Sequence, residues 1–77
     1  MVMTIMRFSP VEADVLCSLR RVACGYFFSR DTWKAAQSLA ERDVPMLTIE
    51  DRLFRKCVIT DNGKIAASLI EKARAIE

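Results

Sequence analysis

The sequence predicts a small α+β domain whose elements run strand, helix, helix, β-hairpin, helix. Three observations carry that prediction. Ser9-Pro10-Val11-Glu12 opens a run of apolar residues at helical spacing. Two apolar-rich runs, 46–49 and 53–60, flank the polar triplet Glu50-Asp51-Arg52. Beyond them Ile65, Ala66, Leu69, Ile70, Ala73 and Ile76 recur at intervals of three and four. Seventy-seven residues make one domain, 1–77. A chain this short buries only about 60 % of the surface it exposes when unfolded, so its stability margin is thin.

The first element is expected at 2–8. Val2, Thr4, Met6 and Phe8 fall on one side of an extended chain, and Met3, Ile5 and Arg7 on the other. Thr4 and Arg7 interrupt the apolar run, and no small-residue cleavage site follows, so it reads neither as a signal peptide nor as a membrane span. Ser9 is the N-cap of the first helix, Pro10 suits its first position and Glu12 completes a capping box. That helix is expected at 10–24. It buries Val11, Val15, Leu16, Leu19, Val22 and Ala23, exposes Glu12, Asp14, Ser18 and Arg21, and is closed by Gly25.

Tyr26-Phe27-Phe28 reads as a short aromatic connection that fills the core between helices. Ser29 or Asp31 caps the second helix, expected at 30–42 because Pro45 removes Val44 from helical geometry. Its inward face is Thr32, Trp33, Ala36, Leu39 and Ala40, and its outward face is Arg30, Lys34, Gln37, Ser38 and Glu41. The strands 46–49 and 53–60 then form a hairpin about the turn 50–52. A last helix is expected from Asp61 to Ala75, with Thr60 as its cap. Asn62-Gly63 is also a hairpin-turn signal, which would make Ile65 onward a returning strand. Ala66-Ala67 and the pattern continuing to Ile76 favour the helix.

Ile59, Thr60 and Gly63 match the "Leu-Thr-x-x-Gly" that leads from a strand into a helix in many winged-helix DNA-binding domains. Leu39-Ala40-Glu41-Arg42-Asp43-Val44 resembles that family's "Leu-x-x-Arg-Gly-Leu" at the end of the recognition helix, with Asp43 where Gly is usual. The resemblance covers residues 33 to 70. Only one helix fits ahead of 30–42, whereas the full family pattern has two, so the resemblance implies a reduced winged helix.

Composition excludes several chemistries. With no histidine, Cys/His zinc sites and Ser-His or Cys-His nucleophile pairs are ruled out. With only two glycines, no phosphate-cradling glycine loop is available. Cys17, Cys24 and Cys57 form no C-x-x-C pair and read as free thiols of a cytoplasmic protein. No enzyme, cofactor or metal is expected, and Glu50-Asp51 reads as a solvated turn.

The resemblance implies a transcriptional regulator that binds double-stranded DNA. Arg30, Lys34, Gln37 and Ser38 would enter the major groove, and Arg52, Arg55 and Lys56 on the hairpin would meet the phosphate backbone or minor groove. A homodimer would supply two half-sites, with the first strand and last helix as contacts. A net charge of +2 is small for a DNA binder. The rival reading is therefore a protein-binding module, of the kind by which a phage or mobile element blocks a larger host complex such as a defence system. The 52 % apolar content and four methionines favour it.

Overall fold

A computed structural model describes residues 8–76. Among them the chain forms α1 (Pro10–Val22), β1 (Cys24–Tyr26), α2 (Arg30–Ala40), β2 (Leu47–Asp51), β3 (Lys56–Ile59) and α3 (Asp61–Ile76). The fold is α+β, with three helices and one antiparallel sheet in the strand order β1-β3-β2. The described order begins helix, strand, helix rather than strand, helix, helix. Of the strand expected at 2–8, only Phe8 is among the described residues, and it belongs to no strand.

α1 begins as its sequence dictates. The Ser9 hydroxyl accepts the Glu12 amide, and the Glu12 carboxylate accepts the Ser9 amide at 2.8 Å. It ends earlier than expected. Ala23, not Gly25, is the C-cap, at φ 70°. The early stop frees Cys24–Tyr26 to pair with β3, with Cys24 opposite Val58 and Tyr26 opposite Lys56. Gly25 therefore lies in a strand, close enough to α1 that a β-carbon would sit 3.3 Å from Leu19. Val22 and Ala23, expected in the core, are exposed, whereas Glu12, expected in water, is buried.

α2 is capped by Ser29, whose hydroxyl accepts the Thr32 amide. It stops at Ala40 rather than 42, and the Leu39 carbonyl accepts the Met46 amide at 3.1 Å, folding the chain back toward β2. Ala35, Ala36 and Leu39 face the core, and Trp33 is half-buried beside them.

The hairpin turn also moves. It occupies 52–55 instead of 50–52, so Leu53–Arg55 leave the expected strand. The Asp51 carboxylate accepts the amides of Leu53 and Phe54, at 2.9 and 3.2 Å. Arg55 closes the turn in the left-handed region at φ 56°. A register shift between Ile49 and Asp51 absorbs the extra residue.

α3 is a helix through Asn62-Gly63, which excludes the returning strand. The Thr60 hydroxyl accepts the Gly63 amide at 3.1 Å and donates to the Pro45 carbonyl at 2.7 Å. Ala66 and Ala67 bring α3 against the core, with Ile70 half-buried. Ile65 and Leu69, expected inward, are more than half exposed. Arg20 pairs with Glu71, and Arg74 with Asp14 at 2.9 Å, so two ion pairs tie α1 to α3. The centre of the domain is Val15, Leu16, Leu19, Leu39, Met46, Leu47 and Cys57.

Candidate nucleic-acid interface

α2 is amphipathic, and its core face fixes what the opposite face shows to solvent. With Ala35, Ala36 and Leu39 inward, the helical period places Arg30, Lys34, Gln37 and Glu41 together on the far side. Arg30 and Lys34 are exposed and, among the described residues, form no ion pair; Gln37 is half-buried. Glu41 places a carboxylate at the C-terminal end of that face. The cationic part is therefore the first two turns.

Ser38 leans toward α1 instead. It is exposed and lines a shallow hollow with Ser9, Val11, Glu12 and Lys34, on the side of α2 that faces α1. Burial drives the Glu12 pKa up. The bond from the Ser9 amide and the charge and hydrogen bond of Arg42 outweigh it and hold the pKa below the ordinary glutamate value. Arg42 lies 3.4 Å from Glu12, and its guanidinium stacks 4.5 Å over the Phe8 ring. Arg42 thus ties the end of α2 to α1.

The hairpin cations separate into three environments. Arg52 is exposed in the turn and forms no ion pair among the described residues. Lys56 pairs with Glu50 at 2.9 Å, and this hydrogen bond, with the Glu50 charge, raises the Lys56 pKa. Arg55 folds back onto α2. It donates to the Phe28 carbonyl at 2.9 Å, and its guanidinium lies 5.5 Å from the Trp33 ring centre. The hairpin turn and the N-terminal end of α2 are thereby held beside each other, which brings Arg55 to the end of the helix that carries Arg30.

Sequence reasoning missed two of these roles. The helical pattern points Trp33 to the core, yet its ring also seats Arg55. The same reasoning leaves Glu12 in water, yet it anchors Ser9 and Arg42. Both depend on residues distant in the chain, and only the capping box hinted at the second.

Comparison with family models, curated proteins and solved structures finds no match to this chain. No helix among the described residues is long and apolar enough to cross a membrane.

Proposed function

We propose that the chain is a small DNA-binding regulator of reduced winged-helix type. α2 reads the major groove, and the hairpin turn lies on the adjoining backbone. The observation that carries this reading is the seat of Arg55 on Phe28 and Trp33, which fixes the hairpin turn beside the cationic end of α2. In helix-based readers the N-terminal residues of the recognition helix contact base edges, and here that end carries Arg30 and Lys34. Gln37 follows one turn later, where a bidentate contact to adenine is available. Arg52 and Arg55 supply phosphate contacts. Lys56 drops out of the reading set because Glu50 holds it, and Ser38 because it lies on the α1 side of the helix. Two copies on two half-sites would raise the affinity of so small a reader. The three free thiols suit a cytoplasmic setting.

The test is a titration of random-sequence duplex at about 50 mM and about 200 mM salt. Binding should weaken steeply with salt and fall at least tenfold in the double variant Arg30→Glu, Lys34→Glu. Equal binding by that variant rejects α2 as the reading helix.

A second reading is favoured by one observation. Leu53 is 82 % exposed at the hairpin turn, and Phe28 and Phe54 are 65 % and 57 % exposed nearby. An apolar cluster of this kind suits a protein partner, and a chain that binds no DNA even at low salt would be assigned to that class.

A further inference from the structure

We infer that the outer surface of β1 and the hairpin turn is a stacking platform for unpaired nucleobases, carried by Tyr26, Phe28 and Phe54. The inference rests on the nucleic-acid reading but uses a different surface from the groove-facing side of α2.

The platform follows from strand geometry. In extended chain, alternate side chains share a side. Phe27 turns inward and packs against the core, which sends Tyr26 and Phe28 outward together. Their ring centroids lie 6.2 Å apart and their planes differ by 4°. The two rings are stacked on each other, so a base of the same orientation can continue that stack from an outer ring face. Tyr26 and Phe28 are 55 % and 65 % exposed, although an aromatic ring is among the costliest groups to leave in water. Phe54 joins them across the hairpin, lining one hollow with Tyr26, Glu50, Asp51 and Lys56.

Two cations near the rings suit a polyanion; Lys56, the ladder partner of Tyr26, is not one of them because Glu50 pairs with it. Arg55 sits on the Phe28 carbonyl, and Arg52 stands in the turn next to Leu53 and Phe54. Of the two carboxylates present, Glu50 is paired with Lys56 and Asp51 is turned toward the amides of Leu53 and Phe54. Rings with interleaved cations are how single strands are held without sequence preference: bases stack and phosphates follow the charge. Bases inside a duplex cannot reach such rings, so the ligand is a single-stranded nucleic acid.

Anisotropy titrations of labelled oligo-dT, oligo-rU and a duplex distinguish the outcomes. The proteins compared are the full chain, Tyr26→Ala, Phe28→Ala, Phe28→Leu and the Arg30→Glu, Lys34→Glu double variant. All substituted side chains are exposed, and unchanged thermal melts check the fold. The single strands should bind, and each ring removal should weaken them by about tenfold, the size of one stacked base. Phe28→Leu should lose as much as Phe28→Ala, because it keeps apolar area but no ring. Duplex binding should be insensitive to the ring variants and sensitive to the charge reversal. Single strands that fail to bind, or that bind Phe28→Leu like the full chain, overturn the platform; the second result assigns the patch to general apolar contact with a protein. If the platform alone fails, duplex binding still drops on charge reversal. If the α2 reading alone fails, duplex binding survives the reversal while the ring dependence remains. A difference between oligo-dT and oligo-rU identifies which nucleic acid the platform prefers.

Discussion

Gly63 in the first turn of α3 lies against the backbone of Met46, so that a β-carbon at Gly63 would overlap the Met46 carbonyl and sit 2.7 Å from Ile59 Cγ1. The obstacle is main chain on one side and a buried side chain on the other, and neither can swing away. Gly63→Ala should therefore destabilise the domain by about 3 kcal/mol, at the upper end of overpacking costs. Thr60→Ala should cost about 1 kcal/mol, the usual loss of an N-cap. Urea unfolding followed by circular dichroism measures both. A Gly63→Ala protein as stable as the parent would mean that α3 sits farther from Met46 than described.

The Glu12 network should set the acid side of the stability curve. Its carboxyl has a lower pKa folded than the ordinary value of 4.5, so the folded state favours the charged form. That stabilisation is fully present above about pH 4.5 and is lost as pH falls through the folded value. Glu12→Gln keeps the shape but not the charge opposite Arg42. It should cost about 1–3 kcal/mol at neutral pH and flatten the decline below pH 4.5. Urea midpoints taken across the acid range check this, and parallel profiles for the two proteins would rule it out.

Ala23 holds a backbone conformation that an L-residue enters at a cost, with φ 70° at the junction of α1 and β1. Ala23→Gly should relieve part of that strain and stabilise the fold by about 0.5–1 kcal/mol. A higher melting temperature is the expected result. A lower one would show that chain entropy outweighs the strain at this junction.

The three thiols should react at different rates. Cys57 is fully buried, and burial raises its thiol pKa. Cys17 is buried and its pKa is raised first by burial, against the opposing charge of Arg74. Cys24 is only half-buried on an edge strand. A colorimetric disulfide reagent should therefore titrate one thiol per native chain quickly and the other two only on unfolding. Two or three fast thiols would contradict the packing of α1 or β3.

What the sequence disclosed was local. Ser9 and Glu12 reach each other across three residues, as do Thr60 and Gly63, so both caps were legible. So was the outward placement of Arg30 and Lys34, because an apolar stripe leaves only one opposite face. β1 was not legible. Cys-Gly-Tyr has little strand character by itself, and its pairing is decided by β3, thirty or more positions later. Ile65 and Leu69 misled for a different reason. Their spacing marks a helix correctly, but two small residues, Ala66 and Ala67, win the core because they let α3 approach closely. Lys56 looked like a free cation because nothing near it in sequence announces Glu50 across the hairpin.

The strand order carries a consequence for how the protein is made. β3 is flanked by both other strands, yet it is the last of the three to leave the ribosome. Until Ile59 has emerged, β1 and β2 have no edge to zip onto, and α1 has only α2 to pack against. A translational pause just before β3 would prolong the stage at which the nascent chain is most open to chaperones and proteases.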